Sequence, residues 1–388
     1  LTYDVVVAGG SFAGLVVATS VGGRVALVER GEVGEGQTSA CATTLDLVQK
    51  LGLEASIEEV HETAVFHHRR GGVRLRLPYR FCTFDYRTFC RLLLERFDGD
   101  LIRSPALGVR GSAVVTGSGD LEGRALVDAT GWRATLAASA DPRFPVTAAR
   151  TYGLERPVRG FEPGGLHFWF DAKTRADGYA WAFPAGDVAR AGLLSYVAAT
   201  GVRDATARFL DAGGLLPGPW HGGYLTAGLR PALAGPVFTV GDAAGHCLPL
   251  TGEGIRPAVF FAQRLAALLE RERAGAATRA ETRAAWAALQ ASFRRRYALL
   301  RAAQTMLRGW PDPPLGVLFR WFAREGGLHR WASRAYWDLA APITRGKPSA
   351  GTRSAAAAAG VTAPADAIPA APAAGASTAP SRPAGRPA

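Results

Sequence analysis

The stretch YDVVVAGGSFAGLVVATSVGGRVALVER, residues 3 to 30, decides the fold. Val5 to Ala8 read as a buried apolar strand, followed by a Gly-rich turn, an apolar helix and a second short strand closing on Glu29 and Arg30. Gly9 permits the tight turn, and Gly14 lets the helix pack closely on the sheet. A helix entered this way presents unpaired amides and the positive end of its dipole. A pyrophosphate is therefore expected on the turn formed by Gly9, Gly10, Ser11, Phe12, Ala13 and Gly14. Glu29, with Arg30 beside it, stands where ribose hydroxyls would be met. Ser11 replaces the middle glycine of the usual GxGxxG spacing. Its Cβ and hydroxyl either hinder the approach of the pyrophosphate or add a hydrogen bond to it.

A second stretch, VFTVGDAAGHCLPLTGEGI at 237 to 255, reads as a strand ending in Gly-Asp, a loop, and a Gly-rich helix start. Gly241 and Asp242 close the strand, so the Asp242 carboxylate can accept a hydrogen bond from a ribityl hydroxyl. Gly252, Glu253 and Gly254 let backbone amides approach the pyrimidine edge of a flavin. A helix from Ile255 would aim its positive end at that edge and favour the anionic reduced form. Together the two stretches point to FAD rather than to a nicotinamide nucleotide alone.

The composition narrows the remaining classes. A chain of 388 residues can bury a large core, and it carries a formal net charge of +12. Only Lys50, Lys173 and Lys347 are lysines, so the excess is arginine. No tight basic run with interleaved aromatics occurs in the core, and nucleic-acid binding is not expected. Cys41, Cys82, Cys90 and Cys247 show no metal-ligand spacing, nor do His67, His68 and His246, which read as surface or loop residues. No metal is expected. The first strand begins at Tyr3, leaving no signal peptide in this reading, and no apolar run of about 18 residues follows. A cytoplasmic protein is expected, peripheral to the inner face of the membrane where it meets one.

The pattern along the chain gives an α/β class: a Rossmann-like FAD-binding domain with an inserted antiparallel-sheet substrate domain and C-terminal helices. The first part of the FAD-binding domain is expected at 1–60, with residues 42–53 as a linking helix. Substrate-domain strands follow at 61–86, where Val73, Leu75 and Leu77 alternate with Arg74 and Arg76. Residues 87–144 return to the nucleotide domain, and 145–232 hold the antiparallel substrate sheet, with strands in LHFWFDA, YAWAFP and RAGLLSYVA. The final nucleotide part is at 233–275. A helical region at 276–345 begins with a long helix presenting Trp286, Leu289, Phe293, Leu300 and Leu307 on one face. Its Arg/Trp-rich stretch at 315–340 is either a cap on the core or a membrane-surface face. Residues 346–388, rich in Ala and Pro, read as a disordered tail.

The pieces VVVAGGSFAGL, VALVER, GYAWAFPAGD and VGDAAGHCLPLTGEGI, in this order, resemble the geranylgeranyl reductase family of FAD enzymes, which shares a fold with aromatic hydroxylases of the p-hydroxybenzoate type. The resemblance implies reduction of carbon–carbon double bonds in a hydrophobic isoprenoid, with FAD as cofactor and NADPH or another donor supplying electrons. It puts Tyr179, Trp181 and Phe183, alternate residues of one strand, on the substrate side of the flavin. It makes Cys41 an active-site candidate, as proton donor or positioning group, beside the plainer reading of a buried inert thiol. It also sets Arg87 at the head of a helix touching FAD. Two other chemistries run on the same fold. A hydroxylase needs mainly protection of its oxygen adduct. A halogenase needs a lysine near its tunnel, and none lies between Lys50 and Lys173. A binding protein that has lost FAD is a third reading, motivated by Ser11 and the Arg/Trp-rich stretch.

Overall fold

Val5, Val6, Val7 and Ala8 are all buried, because the strand they form, β1 (Tyr3–Ala8), runs through the middle of a sheet. The computed structural model describes residues 2–68, 71–161, 164–170, 177–197 and 199–308. The expected Arg/Trp-rich stretch and the Ala/Pro tail lie outside the described residues. After β1 come α1 (Phe12–Ser20), β2 (Val25–Glu29), β3 (Ala42–Thr44), α2 (Leu45–Lys50), β4 (Ile57–His68), β5 (Gly71–Phe84) and α3 (Tyr86–Leu94). Next are β6 (Asp100–Arg103), β7 (Ala106–Arg110), β8 (Ala113–Thr116), β9 (Gly119–Asp128) and α4 (Thr135–Ala140). The second half holds β10 (Arg150–Arg159), β11 (Leu166–Trp169), β12 (Gly178–Ala185), β13 (Val188–Ser195), α5 (Val202–Ala212), β14 (Leu216–Pro217), β15 (His221–Thr226), β16 (Leu233–Ala234) and β17 (Val237–Thr239). Three helices close the described chain: α6 (Ile255–Arg273), α7 (Arg279–Ser292) and α8 (Arg294–Arg308).

The first sheet has the order β16-β17-β9-β1-β2-β6. β1 is parallel to β2 and to β9, and β17 is parallel to β9. The chain leaves β1 toward β2 on one side and returns as β9 on the other. This makes the carboxyl ends of β1 and its neighbours a topological switch point, where open α/β sheets bind ligands. Helices α1, α3, α6 and α7 pack on one face in a core that includes Leu15, Phe89, Phe261 and Trp286. The other face is closed by Leu136 of α4 and by the β7–β8 hairpin.

The second sheet has the order β14-β10-β13-β12-β11-β4-β5-β3, with β15 on β10. Within 145–232 every pair is antiparallel, as expected, and the sheet's one parallel pair joins β11 to β4 of the earlier segment. Alternation divides its faces. Ala180, Ala182, Ala189, Ala191 and Leu193 pack under α5, while Tyr179, Trp181, Phe183 and Leu194 face the other way.

Two local expectations are corrected. Residues 42–53 are not one helix: Ala42–Thr44 pair with Phe81–Thr83 before α2 begins, so the second sheet is entered well before residue 60. The long helix expected after 278 is two helices, broken at Phe293. No helix of the described residues is long and apolar enough to cross a membrane.

Candidate functional site

The turn after β1 is built by the absence of side chains. Gly9 has φ +106, and a Cβ there would lie 2.2 Å from the Ala129 carbonyl oxygen. A Cβ on Gly14 would lie 1.8 Å from the Gly9 carbonyl oxygen, so α1 rests on its own entry turn more closely than any other residue allows. The first helical amide to be bonded is that of Leu15, to Ser11 O. Among the described residues nothing accepts from the amides of Phe12, Ala13 and Gly14, which leaves the unpaired donors that an anion would take. Ser11, before the helix, does not cap it. Its hydroxyl instead accepts from Tyr86 Oη at 3.0 Å. Phe12 is committed to packing, edge-on against Phe84, Tyr86 and Phe89. Glu29 ends β2 beside the turn: Oε2 accepts from Gly10 N at 2.6 Å, and Oε1 accepts from the amides of Arg30 and Gly31. Arg87, in the first turn of α3, is exposed and pairs with Glu35 at 2.7 Å, while Gly34 packs on its backbone.

The distant Gly-Asp turn comes to the same place. Gly241, at φ +64, packs so that a Cβ there would sit 3.0 Å from Ala13 Cβ. Asp242 Oδ2 accepts from Thr226 N at 3.2 Å, and Oδ1 takes no hydrogen bond from the described residues. Burial pushes the Asp242 carboxyl up to about 6, while the Thr226 amide and Arg230 pull it back. An acceptor oxygen left open beside a helix N-terminus fits a ribityl hydroxyl at that position. Arg230 is itself buried and bonds the carbonyls of Trp132 and Val146. Gly252 has φ +66, and Leu250, without glycine's freedom, has φ +75. The Glu253 carboxylate accepts from Arg256 Nε and Nη2, each at 2.6 Å, which commits its side chain to that pair. Gly254 precedes Ile255, the first residue of α6, and covers the buried Cys247.

The aromatic strand lies against this second turn. Tyr179 donates to Thr251 O, and Tyr196 donates to Leu250 O at 2.5 Å. A Cβ on Gly252 would lie 3.3 Å from Tyr179 Oη. Tyr179, Trp181 and Phe183 form one cluster with Leu166, Leu194 and the half-buried Phe66, Phe168 and Phe170, giving an apolar wall. Cys41 is fully buried at φ +52, and its thiol donates to Ser39 O at 3.3 Å. Burial raises the thiol well above the usual range and keeps it protonated.

Several functional-looking groups were not read from the sequence. Glu155 of β10 faces the aromatic wall, buried, with Oε1 accepting from Gln37 Nε2 at 3.2 Å and Oε2 from Trp181 Nε1 at 3.3 Å. Burial pushes its carboxyl up to about 8, against the downward pull of Arg190. A second set descends from the C-terminal helices. Gln290 donates to Arg230 O, Tyr297 to His246 O, and Gln304 Oε1 accepts from Leu250 N. These three buried polar residues are spaced seven apart and tie α7 and α8 to backbone groups at 230 and at 246–250. His246, expected as a surface or loop residue, lies in the loop after Asp242 but is fully buried, stacked on Phe261 at 3.8 Å, with Nδ1 accepting from Gly241 N. Among the described residues no cluster of three or more His, Cys, Asp or Glu could hold a metal ion.

No protein-family profile matches the chain, and no curated protein matches it. Solved structures do. A geranylgeranyl bacteriochlorophyll reductase-like protein from Thermoplasma acidophilum aligns with TM-score 0.77 at 18% identity, covering 87% of this chain and 95% of its own. The anhydrotetracycline hydroxylase OxyS from Streptomyces rimosus aligns with TM-score 0.64 at 22% identity, over 89% of this chain and 77% of its own. The flavin-dependent brominase Bmp2 aligns with TM-score 0.61 at 14% identity, over 87% of this chain and 100% of its own. At these identities the likeness is one of fold, and the fold is the one common to these proteins.

Proposed function

We propose that the chain is an FAD-dependent oxidoreductase that reduces carbon–carbon double bonds in an isoprenoid of the geranylgeranyl type. The observation that carries the cofactor is the contact of Gly241 with Ala13, which brings the turn bearing Asp242 against the first turn of α1, whose amides are unpaired. Phe12, Ala13 and Gly14 would hold the pyrophosphate by their amides, Glu29 the ribose, and Asp242 the ribityl chain. The turn through Gly252 and Gly254 would meet the pyrimidine edge. Bound there, the flavin supplies hydride chemistry.

The substrate class rests on the lining. Tyr179, Trp181 and Phe183 sit on one face with Leu166, Leu194 and half-buried phenylalanines, a surface suited to a polyprenyl chain. An isolated alkene is barely polarised, so the residues around it must exclude water and hold the bond in place. The bonds from Tyr179 and Tyr196 to the 250–251 carbonyls tie that wall to the flavin-side turn and fix its spacing. NADPH or another two-electron donor would restore the reduced state.

A hydroxylase is the second reading, favoured by the shared fold with OxyS. Purified protein, reduced anaerobically with dithionite and mixed with a geranylgeranyl lipid, separates the two. The reductase reading expects flavin reoxidation and product heavier by two hydrogens per reduced bond. Unchanged lipid, together with oxygen uptake coupled to NADPH oxidation on an aromatic substrate, would replace it with the hydroxylase reading.

A further inference from the structure

Glu155 is a carboxyl group with an unusual set of neighbours. In register, one row across the second sheet runs His221 of β15, Glu155 of β10, Gly192 of β13 and Trp181 of β12. A Cβ on Gly192 would sit 2.7 Å from Glu155 Cβ, so only glycine lets the Trp181 indole reach across to Glu155 Oε2. Gln37, from the loop that leads to Cys41, holds the other oxygen. Both of these partners are neutral.

The charged and titratable groups around Glu155 are Arg190 with its partner Glu58, His221 and Cys41. Arg190 of β13 is buried and pairs with Glu58 of β4 at 2.6 Å, leaving its Nη1 without a partner. His221 is held below its ordinary range by burial and by Arg190, and so stays neutral near pH 7. Cys41 keeps its proton, directed at Ser39 O. Arg190 and Glu58 balance one another, and an ionised Glu155 would add an uncompensated buried negative charge. The acid is therefore neutral, and it stands on the same sheet face as the aromatic wall.

Resting on the reductase reading above, we propose that Glu155 is the acid that delivers the proton to the double bond, and that Gln37 and Trp181 position it. In the balanced step the π bond breaks, and one carbon gains a hydride from reduced flavin, which is thereby oxidised. The other carbon gains the Glu155 proton, leaving a carboxylate that is reprotonated from solvent. A nicotinamide-class donor restores the flavin. Cys41 then acts on the shape of the loop rather than as the acid.

The test joins two readouts, one of which needs no substrate. In flavin-free protein, infrared difference spectra with isotope-labelled glutamate should show a protonated carboxyl band at pH 7 that fades as pH passes about 8 and is absent in Glu155→Gln. In anaerobic single turnover with a geranylgeranyl lipid, Glu155→Gln, at wild-type flavin content, should slow reoxidation by about 100-fold or more. Trp181→Phe removes a bond that lowers the Glu155 carboxyl, so it should move both the band and the alkaline limb of the rate to higher pH. Absence of the band in wild type, or turnover by Glu155→Gln at the wild-type rate, overturns the proposal. A wild type that shows the band and passes electrons to no alkene overturns the reductase reading, and the acid's role with it.

Discussion

Replacing Gly14 with alanine puts a methyl group where the structure has 1.8 Å to the Gly9 carbonyl oxygen and 3.2 Å to Ala129 Cβ. The near neighbour is backbone, so α1 must lift from the β1 turn by on the order of 1 Å to restore van der Waals distance. Overpacking of this kind costs about 1–3 kcal/mol, and the backbone target puts Gly14 at the upper end. Alanine's better helix propensity returns about 1 kcal/mol, leaving a net loss of about 2 kcal/mol. At roughly 2–4 °C per kcal/mol, the flavin-free protein should melt several degrees lower. The lift also withdraws the amides of Phe12, Ala13 and Gly14, so FAD affinity should fall by at least about tenfold, a loss of about 1.4 kcal/mol. Differential scanning fluorimetry and FAD fluorescence quenching measure the two effects. Gly31→Ala is the control: nothing lies within 4 Å of a Cβ there, and its effect should stay within about 0.5 kcal/mol. A Gly14→Ala protein with unchanged melting and unchanged FAD affinity would refute the close-packing argument.

Asp242 and Glu155 both hold their protons more tightly folded than unfolded, so their contribution to stability is full below about pH 4 and is lost as pH rises through about 6 and about 8 respectively. Flavin-free Asp242→Asn should therefore melt higher than wild type at pH 7.5 while binding FAD more weakly; tighter FAD binding would remove Asp242 from the site. Gln304→Ala leaves the Leu250 amide unpaired, and a loss of about 1–3 kcal/mol with faster flavin release is expected in urea melts and dilution assays. A variant as stable as wild type would show that the α8 contact holds nothing. Burial raises all four thiols, Cys82 and Cys90 to about 12, so native protein should resist iodoacetamide at pH 7.5. Rapid labelling of Cys41, read by mass spectrometry, would mean that its loop opens.

What the sequence made legible was local. The turn from Gly9 to Gly14 and the Gly241-Asp242 segment announce themselves because glycine and a strand-end acid fix backbone geometry within a few residues. Alternation put Tyr179, Trp181 and Phe183 on one face, as found. The misses depend on partners far along the chain. Residues 42–44 are drawn into the second sheet by Phe81–Thr83, a pairing that overrides helical spacing. Glu155 gains its environment from Gly192 and Trp181, on neighbouring strands whose register no single strand discloses. The spacing predicts Trp286, Leu289, Phe293, Leu300 and Leu307 on one face of a long helix; Trp286, Phe293 and Leu300 are buried, yet Gln290, Tyr297 and Gln304 are buried with them because each meets a loop backbone group.

On the proposed function, the turn at Gly9–Gly14 and the turn at Gly241–Asp242 hold one flavin between them. An absorbance spectrum of the purified protein, followed by titration of its flavin-free form with FAD, tests it most directly. The protein should be yellow and rebind one FAD per chain, with affinity reduced separately by Gly14→Ala and by Asp242→Asn. A colourless protein whose flavin-free form leaves FAD fluorescence unquenched would contradict it.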